Sequence, residues 1–434
     1  MSAVNPSSSS SFPMRDGAAV PCFLPLALLL IAVAALALRL AVLDRTNLDL
    51  VDHFLPWIEQ MRTQGFWEAI AHPFSKYGYT PFYSYAIGLA DAIAPAGTDP
   101  KIVIKSVSIV FDFVAAGVVF FLVRLRWSDP RYGLAAFAAV LFAPTVVLNG
   151  AYWGQSDIIY TSFLLASIYA LLVRAPVWAV VWFGMAVAIK AQAVWLGPFI
   201  LMMVLRGRIR WWLLALAPAV YLILAVPALL AGRSLIEVAS IYLTQASTQS
   251  MLTYSAANLH FFPHYFFMHL GWWPEIIPMI ARMGMAFTAI LGLAFAWRAS
   301  RGHLDPEALL LAALVSVLIV PQFLPYMHNR YFFAADVLAI VLALWRPAVY
   351  WPAALLMQAS SFITYISFLW GARLMASPVP SWLAVFGFTN NLQPVTGLEA
   401  LVGIANFALL VWCWLRLHAF LHQPAEGRYA LAPA

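Results

Sequence analysis

Charged side chains are scarce in this chain of 434 residues. Lys, Arg, Asp and Glu together account for 10% of the sequence, against about 25% in soluble domains. Hydrophobic residues account for 64%, and a soluble fold cannot cover so much apolar surface with polar groups. A lipid bilayer removes that requirement, so the composition predicts an integral membrane protein.

Cysteine is also rare, since only Cys22 and Cys413 occur and both lie in apolar segments. Two isolated thiols provide neither a disulfide framework nor the spacing of a zinc site. The glycine motifs that bind soluble nucleotides are missing as well. The net charge is +6, but the basic residues lie in short groups between apolar runs, which indicates membrane topology rather than nucleic-acid binding.

Long apolar runs recur through most of the chain. A membrane-spanning helix needs about 20 apolar residues, so these runs predict an all-α polytopic protein with about 11 to 13 transmembrane helices. We expect a single domain over 22–420, between a disordered tail at 1–21 and a second tail at 421–434. The candidate segments are 22–43, 79–95, 103–124, 132–149, 156–173, 177–205, 211–231, 276–297, 307–325, 332–345, 347–369 and 398–417.

Arginine and lysine residues predict the orientation of the bundle. Basic groups such as Arg174 and Arg206 should face the cytoplasm, as should both tails. The loops 44–78 and 233–275 then lie outside, where we expect amphipathic loop helices. The chain must enter and leave the membrane between Arg174 and Arg206, so we predict two half-helices that meet near Lys190.

Two carboxylates, Asp49 and Asp52, lie three residues apart in the first outward loop, and on a helix this spacing puts them on one face. Such a pair can act as a general base toward a hydroxyl group, or hold a divalent cation, Mg²⁺ or Mn²⁺, against a phosphate. The alternative is the polar face of an interfacial amphipathic helix.

A second polar loop precedes an apolar helix. It places the indole of Trp153, the amide of Gln155 and the carboxylate of Asp157 at the N-terminus of that helix. Asp157 either caps the helix or takes part in a functional site. The aromatic residues Tyr79 and Tyr83 are equally suited to anchoring at the membrane interface and to stacking on a sugar.

Cationic residues interrupt two apolar regions. Lys190 and Gln192 lie within an apolar stretch, where a cation is a candidate functional residue, the alternative being a lysine that snorkels to the surface. The run from His328 to Tyr331 follows another apolar helix, and Arg330 offers a fork of donors that suits phosphate. Its alternative is an interfacial turn. Neither pattern is decisive alone.

Taken in order, these motifs resemble the GT-C glycosyltransferases, and within them the bacterial group related to the second mannosyltransferase of GPI-anchor assembly. Asn329 stands where that group has Glu. The resemblance extends from about Asp44 to Phe333. The motifs that carry it are Asp49/Asp52, Pro56-Trp57, Gly65-Phe66, Tyr79 to Tyr83, Trp153 to Asp157, Lys190 with Gln192, and His328 to Tyr331.

The resemblance implies a GT-C-like bundle that transfers a hexose, mannose above all, from a polyprenyl phosphate to a glycan or lipid acceptor with inversion. The site would face the extracytoplasmic side of the bacterial inner membrane. Asp49 would be the general base, with Asp52 as its competitor, and Lys190, His328 and Arg330 would bind the donor phosphate. Substrate contacts would come from Tyr79, Tyr83, Trp153, Gln155, Asp157, Gln192, Asn258 and Tyr331.

Two other functions compete with this interpretation. A polysaccharide ligase or polymerase would rely on Arg and His in a large outward loop, and the loop 233–275 contains Arg233, His260 and His264. A transporter of lipid-linked sugars would show paired repeats with broken helices at matching positions. The two halves of this chain show no convincing repeat.

Overall fold

A computed structural model describes residues 23–73, 79–247, 251–271, 273–374 and 397–422. The predicted tail at 1–21 and nearly all of the tail at 421–434 lie outside the described residues. Within them the chain is almost entirely helical, which confirms the predicted all-α class.

Each predicted apolar segment falls on one or more helices. The helices are α1 (Phe23–Leu40), α2 (Leu55–Gln64), α3 (Phe66–Ala71), α4 (Pro81–Ile93), α5 (Pro100–Arg124), α6 (Pro130–Leu141), α7 (Pro144–Val147), α8 (Asp157–Leu172), α9 (Pro176–Ile189), α10 (Gly197–Leu205), α11 (Leu216–Leu230), α12 (Leu235–Ser247), α13 (Phe261–His269), α14 (Trp273–Ala299), α15 (Pro306–Phe323), α16 (Phe333–Trp345), α17 (Pro347–Leu374) and α18 (Gly397–His422).

Shorter elements connect these helices. Two parallel strands, β1 (Thr253–Tyr254) and β2 (Met327–His328), pair Tyr254 with His328. Wide π-helical turns precede α2 and α8, and 3-10 turns precede α10 and α11. The π-helical turns are Leu50–Phe54 and Leu148–Trp153, and the 3-10 turns are Ala191–Leu196 and Trp211–Ala215.

Proline and aspartate explain where several helices begin. Proline suits the first helical position because its fixed backbone angle is already helical and its missing N–H would have no partner there. In α5, α6 and α15 an aspartate precedes that proline and accepts a hydrogen bond from a free backbone N–H of the first turn. These caps are Asp99, Asp129 and Asp305.

In the described residues, seven helical stretches are long and apolar enough to cross a membrane, and the chain is a multi-pass membrane protein. An eighth is formed if α6 and the bent stretch Pro144–Trp153, which meet at 47°, count as one span. The predicted 11 to 13 spans exceed this number because α4, α8, α9 and α16 are shorter than a full span. The seven are Phe23–Leu40, Pro100–Arg124, Trp211–Leu230, Glu275–Ala299, Pro306–Phe323, Pro347–Leu369 and Glu399–His422.

The helical break expected near Lys190 is present. Helix α9 ends at Ile189, and Lys190 is extended, with φ −148° and ψ 144°. A break exposes backbone carbonyls that must find other donors. The hydroxyl of Thr80 donates to the carbonyl of Ile189 over 3.2 Å, and the hydroxyl of Tyr242 donates to that of Val187. The break is therefore stabilised by side chains from α12 and the start of α4.

The centre of the bundle is formed by α5, α8, α15 and α16, which pack against one another. In α15, 83% of the residues are buried, against 11% of the residues in α1, so α15 is a core helix and α1 lies at the periphery. The π-helical turns and the break at Lys190 lie beside this core, where polar groups can be held away from lipid.

Candidate active site

Asp49 lies immediately before the first π-helical turn and is held by two side-chain donors. Its Oδ2 accepts hydrogen bonds from Nε1 of Trp153 over 2.9 Å and from Nε2 of Gln155 over 2.8 Å. The side chain of Asp49 remains 19% exposed. The carboxylate is thus fixed in orientation and still partly exposed.

The two donors flank Gly154, the residue that follows the second π-helical turn. This residue has φ +83°, a conformation that costs glycine little and side-chain-bearing residues more. A Cβ at Gly154 would also lie 2.9 Å from Cδ1 of Leu50, in the loop that carries Asp49. Glycine therefore permits both the tight turn and the close approach of the two loops.

Asp157 forms a buried ion pair with Lys190. Oδ1 of Asp157 lies 2.7 Å from Nζ of Lys190, and Oδ2 accepts a hydrogen bond from Nδ2 of Asn149 over 2.9 Å. Asp157 is fully buried and Lys190 is 6% exposed. A pair with such geometry compensates for much of the cost of removing both charges from water. Asp157 is the first residue of α8, where its side chain binds Asn149 and Lys190, and Lys190 is buried in the bundle and does not reach the surface.

Arg330 lies between the two carboxylates. Its Nη1 is 3.6 Å from Oδ2 of Asp49, and its Nε is 3.7 Å from Oδ2 of Asp157. Both distances are too long for hydrogen bonds, and the buried Nε has no hydrogen-bond partner among the described residues. The guanidinium carbon also lies 5.2 Å from the ring centre of Trp153. Arg330 is positioned by charge and ring contacts and keeps donor capacity for a further anion.

The charges of this cluster balance, with two carboxylates and two cations. Burial works against the charge of Arg330, but Asp49 and Asp157 outweigh it and raise the pKa of Arg330 above its ordinary value. Burial lowers the pKa of His328 well below its usual range, and the positive charges of Arg330 and Lys190 lower it further. His328 is therefore neutral at physiological pH.

The short sheet positions the run from His328 to Tyr331. The imidazole of His328 stacks on Tyr254, with ring centres 4.5 Å apart, and the N–H of Asn329 donates to the carbonyl of Tyr254 over 3.0 Å. Tyr331 lies 5.2 Å from the ring of Trp195 and forms a hydrogen bond with Gln192. These contacts bring both predicted motifs to the charged cluster.

Two other candidate residues, both tyrosines, differ in their placement. Tyr79 lies close enough to Arg330 and Asp49 for their charges to affect its hydroxyl. Tyr83 is fully buried and packs against Phe54, so it is a core residue in this structure.

Two further candidates lie away from the cluster. Asp52 is exposed on the first π-helical turn. Asn258 is buried elsewhere and donates to the carbonyl of Pro321 over 3.0 Å. Two of the residues that favoured a ligase also have partners away from the cluster. Arg233 pairs with Glu237 over 2.8 Å, and His260 contacts the carbonyl of Phe323.

The described residues contain no group of three or more His, Cys, Asp or Glu side chains that would hold a metal ion. Asp49 faces two N–H donors and a guanidinium, and Asp52 is exposed on the first π-helical turn.

Sequence reasoning did not identify Asn47, Lys105 and Ser108, which contact the loops of the site. Nδ2 of Asn47 donates to the carbonyl of Trp153 over 2.8 Å. Lys105 and Ser108 are polar residues three apart in an apolar helix, a pattern that was available in the sequence. Asp112, one turn further along the same helix, pairs with Arg39 over 2.7 Å.

A model of a known protein family, Glycosyltransferase family 87, matches residues 82–321, which is more than half of the chain. The matched region contains Asp157 and Lys190, whereas Asp49 and Arg330 lie outside it. A comparison with curated proteins gives no match.

Proposed function

The chain belongs to glycosyltransferase family 87, and we propose that it transfers a hexose from a polyprenyl phosphate to a glycan or lipid acceptor. The sequence resemblance favours mannose as the sugar. The observation that carries the proposal is the position of an accessible carboxylate, Asp49, beside Arg330, which also lies next to the ion pair of Asp157 and Lys190. In this proposal Asp49 removes a proton, and Arg330 and Lys190 stabilise a phosphate.

In the proposed reaction the acceptor oxygen attacks the anomeric carbon of the sugar from the face opposite the phosphate. The bond between that carbon and the phosphate oxygen breaks, and its electron pair leaves with the polyprenyl phosphate. Asp49 takes the proton of the acceptor hydroxyl. A single displacement of this kind inverts the anomeric centre and needs no covalent intermediate.

Charge moves through the cluster during this step. Before transfer, Arg330 is attracted to the negative charge of Asp49, an interaction on the order of 4 kcal/mol for charges about 4 Å apart at an effective dielectric of about 20. Protonation neutralises Asp49 while the leaving phosphate gains negative charge. Arg330 then stabilises the phosphate, and it already lies in place when the charge develops.

We place the site at the extracytoplasmic face of a bacterial inner membrane. In α8, Asp157 lies at the first residue and Arg174 just beyond the other end. In α5, Ser108 near the start contacts the carbonyl of Gln155, whereas Arg124 ends the helix. Arginine marks the cytoplasmic side, so both helices support an outward-facing site.

The test is a donor assay on the purified protein. Polyprenyl-phosphate mannose and an acceptor mixture are supplied, and release of polyprenyl phosphate is measured across a panel of sugars. We expect turnover with at least one hexose donor, and absence of turnover with every donor would contradict the proposal. Asp49→Asn should lower turnover by about 10²-fold or more, while the matched variant Asp52→Asn keeps near wild-type turnover. Equal activity of both variants would remove Asp49 as the base.

A further inference from the structure

Helix α5 carries three fully buried polar residues in a largely apolar span. Lys105, Ser108 and Asp112 are spaced by three and four residues, so they lie along one face of the helix. Ionisable residues inside a membrane bundle are costly and are rarely kept without a function. None of the three contacts the charged groups of Asp49, Asp157, Lys190 or Arg330.

The contacts of this face lead to the loops that form the site. Nζ of Lys105 donates to the carbonyls of Leu43 and Arg45, over 3.0 and 2.5 Å, in the segment that leads to Asp49. Oγ of Ser108 donates to the carbonyl of Gln155 over 2.6 Å. Helix α5 therefore contacts both the loop that contains Asp49 and the loop that contains its hydrogen-bond donors, Trp153 and Gln155.

Asn47 connects the same two loops directly. Its Nδ2 donates to the carbonyl of Trp153 over 2.8 Å, and its Oδ1 accepts the N–H of Leu50 over 3.0 Å. Both ends of the amide are used, one in each loop. Its position two residues before Asp49 means that a shift of Asn47 would also shift the carboxylate.

We infer that Asn47, Lys105 and Ser108 are positioning residues that hold Asp49 at its working distance from the acceptor. The inference rests on the proposed function. None of the three touches the reactants in this scheme, so each acts through the Trp153–Gln155 turn or through the backbone of the Asp49 loop. Displacement of a catalytic group by about 1 Å can cost about 10²-fold in rate.

The first test compares two serines of the same helix. Ser108→Ala removes the bond to the Gln155 loop, whereas Ser106→Ala removes a bond within α5, from Oγ to the carbonyl of Val103. We expect Ser108→Ala to lower kcat about tenfold while the KM for the donor changes less than about twofold. Ser106→Ala should match the wild type. Ser108→Thr, which keeps the hydroxyl, should recover part of the loss.

A further readout separates positioning from loss of folding. Hydrogen–deuterium exchange should rise over residues 44–54 in Ser108→Ala, Asn47→Ala and Lys105→Met, without faster exchange in α15.

The outcomes are distinct from those of the donor assay. If the wild-type protein turns over no donor, the proposed function fails. Hydrogen–deuterium exchange over residues 44–54 then still tests whether Asn47, Lys105 and Ser108 hold the loop that contains Asp49. If Ser108→Ala and Asn47→Ala leave kcat and local exchange unchanged, the inference is wrong. Equal losses in Ser108→Ala and Ser106→Ala would also overturn it, since both would then report general packing of α5.

Discussion

The buried ion pair between Lys190 and Asp157 allows structural and catalytic roles to be separated. Lys190→Met removes the cation that is hydrogen-bonded to the buried Asp157 and leaves Arg330, 3.7 Å away, as the remaining one; breaking a buried pair on one side costs about 3 to 5 kcal/mol. At about 2 °C per kcal/mol for a chain of this size, the unfolding temperature should fall by about 6 to 10 °C. The same variant should lose turnover, because the phosphate loses a cation.

The double variant Lys190→Met/Asp157→Asn removes the stranded charge. Asparagine can still accept the hydrogen bond from Nδ2 of Asn149, so the unfolding temperature should return toward the wild-type value. Turnover should stay low if Lys190 meets the phosphate. Thermal unfolding in detergent and release of polyprenyl phosphate are measured on the same preparations. Recovery of both stability and turnover in the double variant would show that Lys190 has only a structural role.

Three further predictions concern other parts of the site. Arg330→Lys keeps a charge but loses the planar fork, so we expect the KM for the donor to rise about tenfold or more; an unchanged KM would separate Arg330 from the phosphate. Gly154→Ala forces an unfavourable φ and a contact with Leu50, so both the unfolding temperature and kcat should fall, and a neutral effect would contradict the described turn. The pKa of His328 is lowered on folding, so its protonation favours the unfolded chain, and the stability of the protein falls as the pH drops below about 6.5. His328→Gln should therefore reduce this loss of stability at low pH. The same variant should leave the pH profile of kcat unchanged above about pH 6.5. A shifted kcat profile would assign a proton to His328 during turnover.

The length of the apolar runs was enough to predict the class of fold and the position of the helices. Helices α4, α8, α9 and α16 are shorter than a full span, so in the described residues only seven stretches reach that length. The break at Lys190 was predictable because arginine at both 174 and 206 required the chain to return. Charge along the sequence therefore carried information that hydropathy alone did not.

The geometry around Asp49 was less accessible to sequence reasoning. The spacing of Asp49 and Asp52 implies one face on an α-helix, but the chain forms a π-helical turn there, in which that spacing no longer aligns side chains. The pairing of Asp49 with Gln155 joins residues 106 positions apart, and that of Asp157 with Lys190 joins residues 33 apart. Such contacts depend on how the helices pack, which a single sequence does not specify.

The central claim is that Arg330 and Lys190 bind the phosphate of a lipid-linked donor beside Asp49. A cryo-EM structure of the protein with a polyprenyl-phosphate sugar tests it most directly. We predict phosphate density within hydrogen-bonding distance, about 3 Å, of the guanidinium of Arg330 or the amine of Lys190, with the sugar on the side of Asp49. Phosphate density at the arginine-rich end of the bundle, with the cluster around Asp49 unchanged and empty, would contradict the account.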